Sequence, residues 1–247
     1  MEVEAERITP YDHERPKTEQ VEEMFDSIAP AYDLMNRAMT FGIDKSWRAK
    51  AVKMLRQLPH ADILDVATGT ADLAIRMARD LKPAHITGID LSEQMVAVGR
   101  RKVERAGLSD TITLTTGDCL ALPMADNSFD CVTVAYGVRN FEHLDRGYCE
   151  MARVLRPGGT VCVIELSTPT SPIIKPLYKL YTRGIIPAIG RLVSNDRRAY
   201  SYLPESIAAV PQGDAMLQLM RQAGLTDCTY RALTFGTCTI YMGHKPA

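Results

Sequence analysis

ILDVATGTADLA, residues 63–74, is the stretch on which the fold turns. A short apolar run carrying Asp65 turns tightly through Thr68, Gly69 and Thr70, then opens a helical pattern. In an α/β fold such a turn stands at the carboxyl end of the first strand, where nucleotide-like ligands bind. Twenty-one residues after Gly69 a second apolar run, HITGID, ends in Asp90. A carboxylate at that point can accept hydrogen bonds from both hydroxyls of a ribose. The spacing therefore implies an adenosine-containing cofactor.

The turn itself separates two kinds of cofactor. A pyrophosphate-binding loop needs glycines that let backbone amides approach the phosphates. Here the neighbouring positions are Ala67 and Ala71, and only Gly69 remains. The loop is poorly built for a dinucleotide and suits S-adenosylmethionine, which has no phosphate and carries a sulfonium and an amino-acid tail. Asp65 then stands near the tail's ammonium, and Gly69 lets the backbone pass close to the ligand. The competing account is a plain strand–turn–helix with no ligand.

Outward from this segment the alternation is regular. Strands are expected at 62–67, 85–90, 111–116, 129–135 and 160–166, separated by helical patterns near 71–81, 92–106 and 143–154. Ser92 suits an N-cap, and Gly107 suits the position just past that helix. Strands alternating with helices imply βαβ units and a parallel sheet. The chain ends differently, with a helix near 213–223 and strand patterns at 226–233 and 237–243 that suggest a hairpin closing one sheet edge. Upstream, Val21, Met24, Phe25 and Ile28 keep helical spacing. An irregular turn at Tyr32-Asp33 and a second helix near Trp47–Leu58 are expected to follow. Met1–Glu23 carries eight acidic and three basic side chains, and residues 1–20 are expected to form a flexible arm. Residues 21–247 are read as one domain: a helical cap at 21–58, a cofactor-binding core at 59–168, a second helical cap at 169–210, and a terminal helix and hairpin at 211–247.

Bulk properties bound the function. With 247 residues and 46% apolar side chains the chain can bury a full core. A net charge of −1 supplies no basic field for nucleic acid. The six cysteines are scattered, with no C-x-x-C pair, which argues against a metal site or disulfide framework and for a reducing cytoplasm. No signal-peptide pattern opens the chain, and no apolar run approaches the roughly 18 residues of a membrane span.

The layout of Asp65–Gly69, Asp90 and a third loop at Gly117-Asp118-Cys119 resembles the class I S-adenosylmethionine-dependent methyltransferases. That likeness implies a Rossmann-like α/β fold, with a seven-stranded mostly parallel sheet, an antiparallel C-terminal strand and helices on both faces. By the same likeness Asp118 bonds the adenine amino group with Cys119 beside the ring. The implied cofactor set is Asp65, Gly69, Thr70, Asp90, Leu91, Asp118, Cys119 and Ala135, with no metal. Two further segments are more specific. Tyr32-Asp33-Leu34-Met35-Asn36, followed by Thr40 and Trp47, resembles the amino-terminal signature of the ubiquinone/menaquinone biosynthesis C-methyltransferases. Arg153-Val-Leu-Arg-Pro-Gly-Gly-Thr-Val-Cys-Val-Ile-Glu165-Leu-Ser167 matches that family's second signature, and Gly137-Val-Arg139-Asn140 is typical of it. Thr40 stands where the family commonly has serine, Asp44 where it usually has histidine, and Ala135 where serine is frequent.

The reaction this resemblance implies is methyl transfer from sulfur to a ring carbon of a prenylated quinol. Demethylmenaquinol ranks first as acceptor. A ubiquinol precursor (2-polyprenyl-6-methoxybenzoquinol) or another small phenol is the alternative, and a non-catalytic S-adenosylmethionine-binding module is the alternative of a different class. A phenol with a pKa near 10 must lose or share its proton for charge to reach the ring carbon. Arg139 is the first candidate to stabilise a phenolate oxygen, against a purely structural ion pair. Asn140 either orients a ring oxygen or caps the following helix. Tyr32 and Asp33 are expected in a linker over the cofactor, with Asp33 either a base acting through water or the head of an Asx turn. Glu165 faces the same region, and His143 reads as a helix-surface residue.

The acceptor's tail points to Thr170–Tyr202, with six basic side chains against one acidic and four of the ten tyrosines. Ile173, Ile174, Leu177, Leu180, Tyr181, Ile185, Ile186, Ile189 and Leu192 recur at helical spacing beside Lys175, Lys179, Arg183 and Arg191. Such a segment suits contact with an anionic membrane surface at the cytoplasmic face, or a tunnel for a polyprenyl chain. A cap helix packed on the sheet or in a homodimer is the alternative.

Overall fold

Strand β1 (Asp62–Val66) is an interior strand of the sheet, paired in parallel with β2 (His85–Asp90) on one side and β4 (Phe129–Ala135) on the other. The computed structural model describes residues 3–185 and 197–247. Beyond β2 lies β3 (Ile112–Thr116), and beyond β4 lies β5 (Leu155–Leu166). The C-terminal strands β6 (Thr226–Leu233) and β7 (Cys238–His244) form an antiparallel hairpin. Strand β7 pairs antiparallel with β5, giving the order β3-β2-β1-β4-β5-β7-β6. The strand order reverses beside β1, so the carboxyl ends of β1 and β4 bound a crevice at the topological switch point.

Side chains alternate across β1. Ile63 enters one apolar layer, whereas Leu64 and Val66 enter the other, all fully buried. The first layer packs under α4 (Asp44–Leu55), α5 (Asp72–Leu81) and α6 (Glu93–Arg105). The second packs under α7 (Leu144–Val154) and the helix Asp214–Gln222. Helix α5 forms because Leu73, Ala74, Met77, Ala78 and Leu81 share one face and are all buried. Helix α6 starts where Ser92 Oγ accepts from the Met95 amide at 3.0 Å. It ends at Gly107, whose φ of +67° a side chain would disfavour.

Four sequence expectations are corrected. The Tyr32-Asp33 turn is the first turn of helix α3 (Tyr32–Thr40), and the helix placed at 47–58 begins earlier, at Asp44. Strand β5, expected at 160–166, begins at Leu155, with its register shift against β4 falling between Leu155 and Thr160. The acidic N-terminal arm, expected to be flexible, is packed from residue 3 onward. A short helix α1 (Glu4–Arg7) buries Ala5 completely, and α2 (Lys17–Ile28) buries Val21 and Met24.

Charge explains that last correction. Glu6 Oε1 accepts from the Leu144 amide at the start of α7 at 2.8 Å. Glu142 in turn accepts from the Thr18 amide at 3.0 Å and its hydroxyl at 2.6 Å, at the start of α2. Two carboxylates thus each cap the other segment's helix N-terminus. Lys17 Nζ, buried, completes the lock by donating to the carbonyls of Ala5 (2.7 Å) and Arg139 (3.1 Å). The second cap contains α8 (Ile174–Leu180) and α9 (Arg197–Ala209), and the terminal helix Asp214–Gln222 is α10. Ile186, Pro187, Ile189, Arg191 and Leu192 of the expected amphipathic run lie outside the described residues.

Candidate functional site

At the carboxyl ends of β1, β2 and β4 lies a cavity enclosing about 710 Å³ of empty space. The backbone that forms its floor alternates left-handed residues: Ala67 (φ 50°), Gly69 (φ 56°) and Ala71 (φ 65°). The loop therefore has the path of a glycine-rich turn with alanine at two of three positions. Each alanine holds strain of order 1–2 kcal/mol that only a well-determined surrounding maintains. Gly137 is required on the facing loop, since a Cβ there would lie 2.6 Å from that of Ala67.

Asp90 closes the floor. Its Oδ2 accepts from the Gly69 amide at 2.7 Å and its Oδ1 from the Ser92 amide at 3.0 Å. Burial lifts its carboxyl to about 6, against the pull of those amides. Each oxygen keeps a lone pair, so a vicinal diol can still bind. Asp118 also lines the cavity, fixed by the Leu120 amide at 2.8 Å. Leu91, Cys119 and Ala135 complete the expected wall, and burial pushes the Cys119 thiol well up, so it is an uncharged contact surface. Glu22, Asp90, Asp118 and Glu142 line this space, with no lysine, arginine or histidine among the described lining residues. That charge pattern fits a cationic sulfonium donor and opposes a pyrophosphate.

Two residues of the expected cofactor set are elsewhere. Asp65 lies beneath the floor, with Oδ2 accepting from Thr68 Oγ1 at 2.7 Å and Oδ1 from Thr133 Oγ1 at 2.6 Å. Burial lifts its carboxyl to about 6, and it stands as a strut under the loop rather than among the residues that line the cavity. Thr70 points away too, donating to Asp33 Oδ1 at 2.6 Å. Asp33 is held by Lys102 Nζ at 2.6 Å, and Lys102 also reaches Asp72 (2.5 Å) and Thr70 (2.9 Å). Burial opposes ionisation of Asp72, but Lys102 wins and holds its carboxyl below the usual range. Asp33 lines neither cavity, is paired with a cation, and sits in the first turn of α3 rather than in an Asx turn. It clamps α3 onto the start of α5. Sequence gave no signal for Lys102, because 69 residues separate it from Asp33.

Tyr32 does roof the site. A Cβ on Gly69 would lie 3.9 Å from its Cε1, and its ring packs edge-on against Phe25 at 6.0 Å. Behind it opens a second cavity of about 1330 Å³, lined mostly by apolar side chains from α2, α3, α4, the α8 region and α9. Phe25, Tyr32 and Tyr136 belong to both walls, so the two spaces share one partition.

Arg139 lines the apolar cavity, in a 3₁₀ turn (Val138–Asn140) after β4. Its Nη1 pairs with Glu165 Oε1 at 3.0 Å and donates to the Tyr136 carbonyl, leaving Nε buried without a partner. Glu165 also accepts from the Arg139 amide at 3.2 Å. The structural ion pair and the cavity position therefore coexist. Asn140 lines the first cavity, its Oδ1 accepting from Tyr202 at 3.1 Å. It does not cap α7, whose N-cap position is His143. Asp44, where a histidine is usual, is buried and paired with Arg48 one turn on, and accepts from Thr40 Oγ1 at 2.9 Å. Tyr136, Lys102 and Arg48 carry no motif and were invisible to sequence reasoning. Among the described residues no cluster of His, Cys, Asp or Glu could hold a metal ion, and no helix is long and apolar enough to cross a membrane.

Residues 13–245 match the model of the ubiE/COQ5 methyltransferase family. Among curated relatives, the demethylmenaquinone methyltransferase of Bacteroides fragilis is 48% identical over 97% of this chain and 98% of its own. The ubiquinone/menaquinone biosynthesis C-methyltransferase of Geobacter sulfurreducens is 44% identical over 93% and 90%. Among solved structures, a [4+2]-cyclase superposes with a TM-score of 0.68 at 19% identity, covering 94% of this chain and 98% of that one. An S-adenosylmethionine-dependent methyltransferase of Thermotoga maritima, described as a possible histamine N-methyltransferase, superposes at 0.64 and 20% identity over 90% and 99%. At those identities the structural likeness speaks for the fold alone.

Proposed function

The chain belongs to the ubiE/COQ5 methyltransferase family, whose S-adenosylmethionine-dependent C-methylation serves menaquinone and ubiquinone biosynthesis, and we propose that its acceptor is demethylmenaquinol, converted to menaquinol. The observation that carries this reading is the shared partition. An anionic cavity suited to the donor and a larger apolar cavity suited to a prenylated ring meet at Phe25, Tyr32 and Tyr136. When bound, S-adenosylmethionine supplies an electrophilic methyl: the carbon–sulfur bond breaks with its electron pair left on sulfur, a ring carbon–carbon bond forms, and the ring proton leaves to water.

The chain's own residues align and desolvate that encounter. Asp90 would hold the ribose of the donor, Asp118 and Cys119 would take its adenine, and Gly69, Leu91 and Ala135 would supply the wall beside it. Asn140 and Tyr32 fix the partition. Arg139, held by Glu165, sets a permanent cation against a ring oxygen and stabilises the charge that makes the ring carbon nucleophilic.

The tail of the acceptor leaves toward α8, whose Leu177 and Leu180, with Ile173 just before the helix, are exposed beside Lys175 and Lys179. Phe41, 75% exposed, stands 6.1 Å from the Tyr181 ring at the cavity's edge. This ridge supports peripheral contact with an anionic membrane surface. Flotation with vesicles containing anionic lipid should retain the wild type and lose Leu177→Asp; equal recovery of both sinks the membrane reading. The function is tested by incubating the purified chain with labelled donor and, separately, demethylmenaquinol and the demethylated ubiquinol precursor. Labelled menaquinol is expected; label only in the ubiquinol series reassigns the acceptor, and no product from either ends the proposal.

A further inference from the structure

Three buried side-chain polar atoms have no hydrogen-bond partner among the described residues: Arg48 Nε, Tyr136 Oη and Arg139 Nε. They are not scattered. Tyr136 and Arg139 line the apolar cavity, and the Arg48 guanidinium lies over the Tyr136 ring, 5.2 Å from its centre. Two other polar groups on that wall are paired: Trp47 Nε1 donates to Thr234 Oγ1 at 2.8 Å, and Thr40 Oγ1 to Asp44. A buried hydroxyl without a partner is costly, and one that a native protein retains calls for a cause, of which a catalytic or ligand-binding role is one.

The Tyr136 side chain is also held with unusual care. Its backbone is left-handed (φ 61°), a conformation that a bulky residue adopts only under constraint from its surroundings. Its amide donates to the Ile164 carbonyl at 2.7 Å. The Trp47 ring meets it edge-on at 6.4 Å. Arg48, above it, is anchored by Asp44 and lies 3.9 Å from Asp72. Burial raises the phenol's pKa well above its usual value, despite Arg48, so it stays protonated and able to donate.

We propose that the Tyr136 hydroxyl donates a hydrogen bond to one ring oxygen of the acceptor while Arg139 serves the other, with the Asp44–Arg48 pair positioning the Tyr136 ring. This rests on the quinol reading above and adds a second oxygen-recognition point to it. An acceptor with two ring oxygens then meets two donors within the apolar cavity, which orients the ring carbon toward the donor cavity.

Tyr136→Phe in the full chain removes only the hydroxyl and leaves ring and backbone demands unchanged. Donor affinity by calorimetry should stay within about twofold, which certifies the fold. With demethylmenaquinol kept reduced anaerobically, kcat/KM should fall about tenfold or more. Wild type should lose as much on one of the two prenylated monohydroxy naphthols, and the variant should lose nothing further on that analogue. A variant within twofold of wild type on the quinol, or losing equally on all three acceptors, overturns the proposal. Trp47, the chain's one tryptophan, lines the same cavity and gives an independent readout. If wild type methylates neither quinol, quenching of Trp47 by the reduced naphthoquinol still decides: weaker binding by Tyr136→Phe upholds the inference, and equal binding ends it.

Discussion

In the cavity at the ends of β1 and β2, the expected carboxylates are met by nearby backbone: Asp90 by Gly69 and Ser92, Asp118 by Leu120. Around the apolar cavity beside it, Tyr136 and Arg139 each carry a buried polar atom with no partner among the described residues. The first region is finished before any ligand arrives; the second is finished by one. Preorganised polar walls hold a charged donor at little reorganisation cost, whereas an apolar space with a few unpaired donors selects a greasy molecule with matching oxygens.

The largest way to break this contrast is Arg139→Gln. It strands Glu165 in a buried position, so unfolding stability in urea should drop by about 3–5 kcal/mol, and quinol turnover should be lost. Donor affinity should hold within about twofold, because Arg139 lines only the apolar cavity. Weakened donor binding would merge the two regions into one.

Asp90→Ala should do the reverse. It removes a buried acceptor from two backbone amides and from the ribose, and calorimetry should report donor binding weaker by about 100-fold, or roughly 2.7 kcal/mol. Tight binding by this variant would remove the donor site from the floor of β1 and β2.

Acid sharpens the same point. Asp65 and Asp90 sit at about 6 in the fold, above the ~3.9 of an unfolded aspartate. Their contribution to the unliganded fold is therefore fully present below ~3.9 and is lost as pH rises through about 6. Donor binding runs the other way, because the ribose needs the ionised Asp90. Affinity should fall about tenfold from pH 7 to pH 5, whereas in Asp90→Asn the fall should vanish.

The smallest effect belongs to Lys102→Met. Its ties to Asp33, Asp72 and Thr70 are partly exposed, so thermal unfolding should register a loss of about 1 kcal/mol. The acceptor KM should rise more than the donor Kd, since α3 walls the apolar cavity.

The two regions also differ in how far they could be read from sequence. The Asp118 loop came from the family resemblance, but Gly69 and Asp90 could be singled out from consecutive strand ends. There, period-2 burial and tight turns leave a local trace. Asp65 and Thr70 line neither cavity: strand alternation turns Asp65 toward Thr68 and Thr133 beneath the loop, and Thr70 bonds Asp33 of α3. Composition misled at the N-terminus. Eight acidic residues suggested a solvated arm, yet Glu6 serves a helix start 138 residues away.

What the chain's order of residues determined alone is the sheet, its central crevice and the kind of donor, because burial period, turn chemistry and charge are local properties. Only the tertiary structure decided the acceptor side. Arg139 meets Glu165, Asp33 meets Lys102, and Arg48 covers Tyr136 through contacts between distant segments. Such contacts obey packing and electrostatic pairing, which leave no periodic mark on the sequence.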